Sequence, residues 1–321
     1  RLGEKRNRSR ARIKFLVAQL GLKEFKRLVL EERSKLSAND QWTAHLTDAP
    51  LYAEKPLKPP APLNGVQPDG FNTWARTNVY HQRQTDYAVV TVTLPLGDVT
   101  THQMRHLANM ARRYVGDTVR TTVEQNIVFR WVSAVDLPDL YCDLVATGLG
   151  QPGAGTIADI TACPGTDTCK LGIASSRGLA AELRSALTTR ASKLDPAAEA
   201  LRIKTSGCFN SCGQHHIADL GFYGVSRNID GYAVPHFQVV LGGQWVDNAG
   251  SYGLASGAIP SKRIPDVVNR ITARFVADRH EHESFQDFTR RIGKRALKEM
   301  FGDLATVPSH DENPDFYSDF G

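Results

Sequence analysis

No run of about 18 apolar residues occurs in the chain, so no membrane-spanning helix is expected. Cysteine is scarce: five in 321 residues are too few for a disulfide scaffold. Reducing, cytoplasmic conditions fit that usage better than secretion. A strong charge of either sign is also missing. The net charge of +5 permits an anionic substrate or an acidic partner without calling for nucleic acid. Short repeat arrays are not visible, which sets solenoids and propellers aside. What remains is ordinary for a soluble globular protein, with 41% apolar and 23% charged residues, and the length favours two domains.

The scarce cysteines are not scattered. Cys163 and Cys169 lie in TACPGTDTCKLG, and Cys208 and Cys212 in SGCFNSCGQHH. The spacing is Cys-x5-Cys, a gap of 38 residues, then Cys-x3-Cys. Thiolates gathered this way in a reducing setting point to a metal centre. Structural zinc prefers tighter knuckles, because a short turn must bite a small tetrahedral ion. An iron–sulfur cube is wider and accepts looser loops. The residues alone therefore favour a cluster, with zinc and unligated thiols as the competing readings. Cys142, in the helical stretch DLPDLYCDLVATGL, reads as a plain packed or surface thiol.

Along the chain, residues 1–36 carry twelve Lys and Arg against four Asp and Glu, and read as two helices broken at Gly21. Ile13, Leu16, Val17 and Leu20 form one apolar face, continued by Leu22, Phe25, Leu28 and Val29. A solvated helical hairpin is favoured over a nucleic-acid-binding arm. Residue 1 is Arg and the pattern opens midway, so these are read as the terminal helices of a preceding, mostly missing module. Residues 37–72 gather proline and predict an extended linker. Residues 73–134 predict a small α+β half-domain. In it Tyr87–Leu94 is a strand, and a helix capped by Thr100 or Thr101 has the face Met104, Leu107, Ala108 and Ala111. One long alternating strand from Val119 to Trp131 would complete it. Gln125 falls on the apolar face of that strand, which calls for a buried partner or a bound ligand. Residues 135–305 predict a second domain, with helices near 135–148 and 169–191. The latter would place Cys169 near a helix start. Strands are expected at Ile203–Ser206 and 236–243. Closing helices would present Ile264, Val267, Val268, Ile271 and Phe275, then Phe285, Phe288, Ile292, Ala296 and Met300. Residues 306–321 read as a tail.

TACPGTDTCKLG together with IKTSGCFNSCGQHHIADLGFYG resembles the cluster-binding signature of sirohaem-containing sulfite and nitrite reductases. VRTTVEQNIVFRWV resembles the second ferredoxin-like half-domain of those enzymes, with the pattern Arg-x-Thr…Gln-Asn at Arg120, Thr122, Gln125 and Asn126. LGGQ at 241–244 and FQDFTRRIG at 285–293 resemble later landmarks. One departure is Phe209, where the family usually has proline.

The resemblance implies an α+β protein: a ferredoxin-like half-domain followed by a mixed α/β domain that binds sirohaem and a 4Fe–4S cluster. Cys163, Cys169, Cys208 and Cys212 would ligate the cluster, and Cys212 would also bridge to the sirohaem iron. Arg120, Thr122, Gln125, Asn126 and Asn210 are the carried-over candidates for the sirohaem pocket, whose eight carboxylates need many donors. The implied reaction is the assimilatory six-electron reduction of sulfite to sulfide or nitrite to ammonia. Electrons would come from ferredoxin or a flavoprotein reductase, with no nucleic-acid or membrane partner. In the family the basic residues that bind the substrate come largely from a first half. The Lys and Arg of residues 1–36 do not match those positions and receive no substrate role. His215 and His216 are read as structural. The alternative is an electron-transfer or structural module that binds a cluster or zinc without sirohaem.

Overall fold

The structure, a computed structural model, describes residues 13–47, 54–190, 194–244 and 251–321. The expected helical start before residue 13 and linker residues 48–53 lie outside the described residues. The chain divides into two units, residues 1–54 and residues 55–321.

In the first unit, α1 (Ile13–Leu20) and α2 (Leu22–Ser34) are separated by Gly21, whose φ of 76° breaks the helical path. Neither helix has a buried residue.

The second unit holds two cores. Residues 55–70 run extended, and the backbone of Ala61 bonds to Ser133 and Val135. Next come α3 (Phe71–Asn78), β1 (Val79–His81), β2 (Tyr87–Val92), α4 (Thr101–Tyr114), β3 (Arg120–Thr121), β4 (Ile127–Ser133) and α5 (Leu137–Ala146). The strands form an antiparallel sheet in the order β1-β2-β4-β3. Thr100 caps α4 in a capping box with Gln103. The buried face of α4 is Leu107, Met110, Ala111 and Tyr114, while Met104 is 46% exposed. The apolar stripe is thus turned from the expected one, because Tyr114 and Met110 carry more area to bury than Met104 and Ala108.

The expected long strand from Val119 to Trp131 is a hairpin instead. Thr122 N–H donates to the Asn126 carbonyl, and Gln125 N–H donates to the Thr122 carbonyl at 3.1 Å. Gln125 takes a φ of 68°, the left-handed residue that a loop of this length needs to return the chain.

The second core surrounds a five-stranded mixed sheet in the order β5-β6-β7-β8-β9. Its elements are β5 (Thr161–Ala162), α6 (Ser176–Arg190), α7 (Pro196–Glu199), β6 (Ile203–Ser206), β7 (Leu220–Ile229), β8 (Tyr232–Leu241), β9 (Leu254–Pro260), α8 (Ile264–Asp278) and α9 (Phe285–Met300). The first three strands are parallel and the last pairs antiparallel. β5 is an edge, with Thr161 opposite Lys204 and Ala162 opposite Thr205. In α9, Gly293 has non-helical angles (φ 81°, ψ 158°). The kink rotates the second half, so Leu297 is buried and Ala296 is exposed, the reverse of the unbroken pattern.

Candidate functional site

Both cysteine pairs leave the carboxyl ends of neighbouring parallel strands, the edge of an open sheet where ligands usually bind. Cys163 follows β5 directly, and Cys208 follows β6 after one glycine. Parallel pairing of β5 and β6 therefore brings two segments 45 residues apart to one end of the sheet (163 to 208). Cys163 is half-buried, Cys208 is buried, and Cys169 and Cys212 are exposed. Among the described residues no three His, Cys, Asp or Glu side chains converge on a single-ion site.

Glycine packs the two loops backbone to backbone. A Cβ on Gly207 would come 2.5 Å from the Gly165 Cα, and one on Gly172 would come 2.7 Å from the Gly165 carbonyl carbon. On the far side, a Cβ on Gly224 of β7 would stand 2.3 Å from the Gly207 carbonyl oxygen. No side chain fits at these places, so the loops are held as a close stack. Ile173 and Ala174 both donate their N–H to the Gly207 carbonyl.

Cys163 is the most heavily braced ligand candidate. Gly207 N–H donates to its Sγ at 3.1 Å. Ser176 Oγ donates to its carbonyl at 2.8 Å and lies 3.4 Å from its Sγ. α6 begins at Ser176, so the helix start belongs to Cys163 and not, as expected, to Cys169. Cys169 instead closes a turn, its N–H donating to the Gly165 carbonyl at 3.1 Å. Arg177 ties this turn down from three sides. It pairs with Asp167 at 2.9 Å, pairs with Asp98, and donates to the Leu96 carbonyl at 2.9 Å. The hydrogen bond to Asp98 holds its guanidinium above the usual arginine range.

The second pair is set by Ser206 and His215. Ser206 Oγ accepts the Gly213 N–H at 3.1 Å and lies 2.9 Å from His215 Nδ1. His215 is fully buried, and burial pushes its pKa down to about 3, so the ring is neutral at ordinary pH. Its Nε2 has no hydrogen-bond partner among the described residues. Its ring packs against His216 at 4.1 Å and Tyr223 at 4.6 Å. Lys204, also buried, donates to Thr161 Oγ1 at 3.3 Å and to Gln214 Oε1 at 3.4 Å. Burial lowers its pKa.

The hairpin tip at Thr122–Asn126 meets the edge of β5. Gln125 Nε2 donates to the Ala162 carbonyl at 2.8 Å, and its Oε1 accepts the Ala162 N–H at 3.0 Å. The partner that Gln125 required is thus protein backbone, one residue before Cys163. Asn126 is buried; its Oδ1 accepts the Leu94 N–H at 2.9 Å, and its Nδ2 donates to the Asp159 carboxylate at 2.9 and 3.1 Å. Thr122 Oγ1 accepts the Asn126 N–H at 3.3 Å. Arg120 on β3 and Asn210 in the second cysteine loop are exposed. Sequence reasoning missed Ser176, Arg177, Ser206 and Lys204. Only a Ser-Ser-Arg run after Gly172 hinted at the first two.

Two family models match the chain. The nitrite/sulfite reductase ferredoxin-like half domain covers residues 80–146, and the nitrite and sulphite reductase 4Fe-4S domain covers residues 153–307. A ferredoxin–nitrite reductase of Synechococcus elongatus is 26% identical over 87% of this chain and 49% of its own length. A sulfite reductase (ferredoxin) of Mycobacterium tuberculosis is 30% identical over 92% of this chain and 50% of its own. Among solved structures, the Mycobacterium tuberculosis NirA protein aligns with a TM-score of 0.69 at 26% identity, covering 92% of this chain and 50% of that one. Dissimilatory sulfite reductase I shares the fold, with a TM-score of 0.55 at 12% identity over 72% of this chain and 76% of that one. The chain spans about half the length of the curated relatives it matches.

Proposed function

Because this chain belongs to the nitrite and sulfite reductase family, we propose that it holds the redox centre of an assimilatory enzyme reducing sulfite to sulfide or nitrite to ammonia. The observation that carries this reading is the glycine-stacked pair of loops, which brings Cys163, Cys169, Cys208 and Cys212 to one end of the sheet. The donor set is four thiols with no carboxylate or imidazole among them, which suits a 4Fe–4S cluster. The Gly207 N–H aimed at the Cys163 Sγ is the kind of donor that supports a thiolate ligand.

Cys163, Cys169, Cys208 and Cys212 would hold the cluster, and Cys212 would be shared with the iron of sirohaem. Together these groups would supply the one-electron transfers that the reduction of sulfite or nitrite needs. The chain's own residues keep that centre in place. Ser206 and neutral His215 fix Gly213, the residue after Cys212, and so hold the bridging end of the loop. Gln125 and Arg177 couple the half-domain to the first loop, one through Ala162 and the other through Asp98 and Asp167. Arg120, Asn210 and Thr122 are proposed as donors toward the sirohaem carboxylates. Gln125 and Asn126, whose amides already bond to protein, act by bracing. The electron donor is proposed to be of the ferredoxin type or a flavoprotein reductase.

The test is an absorption spectrum of protein isolated without oxygen. Sirohaem and iron–sulfur bands are expected; a colourless zinc protein would overturn the assignment. Cys212→Ser should remove the cluster and the haem–cluster coupling together. Survival of both would show that Cys212 is not the bridge.

A further inference from the structure

Beyond residue 307, where the family match ends, the chain returns to the start of α6. Phe316 is buried, with the Arg263 guanidinium 5.2 Å from its ring. Phe320 packs on the core beneath Lys262 Nζ, which stands 4.7 Å from its ring and pairs with Asp315 at 3.2 Å. Between these anchors the Asp319 carboxylate spans two elements. Its Oδ2 accepts the Ser175 N–H at 2.6 Å, and its Oδ1 accepts the Ser261 hydroxyl at 2.6 Å. Ser175 in turn accepts the Gly178 N–H at 3.2 Å and so caps α6. Gly178 is pressed against the same segment: a Cβ there would lie 2.2 Å from the Phe320 carbonyl oxygen. Ser176, which follows Ser175 in the chain, is the residue that touches Cys163 at both carbonyl and Sγ.

We infer that Asp319 is a positioning residue for Cys163, acting through Ser175 and Ser176. Residues 314–320 are a strap whose carboxylate fixes where α6 begins, and that start fixes the orientation of the first thiol. Two short bonds to one carboxylate make this a stiff link, where apolar packing alone would allow sliding. The strap's importance for a cluster rests on the reading of Cys163 as a ligand; its action on the thiol does not.

The experiment measures alkylation of each cysteine in reduced apo-protein by peptide mass spectrometry. Asp319→Ala should speed alkylation of Cys163 about tenfold, the factor corresponding to about 1.4 kcal/mol for a lost charge-assisted bond. Cys142 on α5 is the internal reference and should not change, and Cys169 and Cys208 should change little. Asp319→Asn keeps one acceptor and should fall between. In cluster-loaded protein, chelator-driven bleaching should quicken in the same order. An unchanged Cys163 rate in Asp319→Ala overturns the proposal. So does an equal rise at every cysteine, because that reports a general loosening of the fold. If Asp319→Ala does not fold, Ser176→Ala leaves the strap intact and must still speed Cys163; no change there overturns the link. Wild-type protein that takes up no cluster would refute the ligand reading, while the thiol rates would still decide the strap.

Discussion

Ala162 belongs to an edge strand, where one N–H and one carbonyl would otherwise lack a neighbour, and the Gln125 amide supplies both missing partners. Gln125→Ala should therefore cost about 1–3 kcal/mol, the range for leaving buried backbone groups unpaired, read as a lower urea midpoint. Gln125→Glu should be at least as harmful, because a carboxylate would face the Ala162 carbonyl. A second single-residue effect depends on pH. His215 has a folded pKa of about 3, below its unfolded value, because its ring is buried. Between those values the unfolded chain binds the extra proton, so His215 stabilises the fold fully above its unfolded pKa and loses that contribution as pH falls. Asp219, pushed up to about 6 by burial, works the other way over part of the same window. The wild-type slope is a difference, and a substitution isolates the histidine. In His215→Gln, stability should fall less steeply between about pH 6 and 4, by up to about 1.4 kcal/mol per pH unit. Equal slopes in urea titrations of the two proteins would show that the ring is not excluded from protonation.

At the level of elements, what the sequence made legible was whatever rests on local pattern. Cysteine spacing, a helix cap at Thr100 or Thr101 and the stripe on α8 are all readable within one or two turns. The hairpin at 122–126 was not, because no glycine marks it and Gln125 takes the left-handed place a glycine usually holds. The alternation simply runs on through the turn. The start of α6 was misread for a different reason. The Ser175 that caps it gives its own N–H to Asp319, 144 residues away, and no window of sequence contains both. Lys204 was invisible as a site residue on the same ground, and Ser176 and Arg177 were no more than hinted at, since their partners come from other elements. The kink in α9 gives the clearest measurement. Leu297→Ala should cost about 2–5 kcal/mol, as for a buried leucine, whereas Ala296→Ser should stay within about 0.5 kcal/mol. A straight helix, as the periodicity implied, would put Ala296 inward and make its substitution the costly one.

At the scale of the molecule, all five cysteines and both apolar cores belong to residues 55–321, whereas the described helices of residues 1–54 bury nothing. Ile13 and Leu22, on the apolar stripe that patterned these helices, are 70% and 71% exposed. The proposed centre and the fold that carries it should therefore be properties of the second unit. Removing residues 1–54 is expected to leave the iron and sulfide content per chain, and the midpoint of thermal unfolding, unchanged. Iron and sulfide assays with calorimetry on both lengths would check this. A fall in cluster content at an unchanged midpoint would mean that the basic helices serve the centre directly. A lower midpoint with the cluster retained would mean that their apolar stripe supports the fold. Either result would reassign a segment whose charge and periodicity, read alone, favour a solvated helical pair over a nucleic-acid-binding arm.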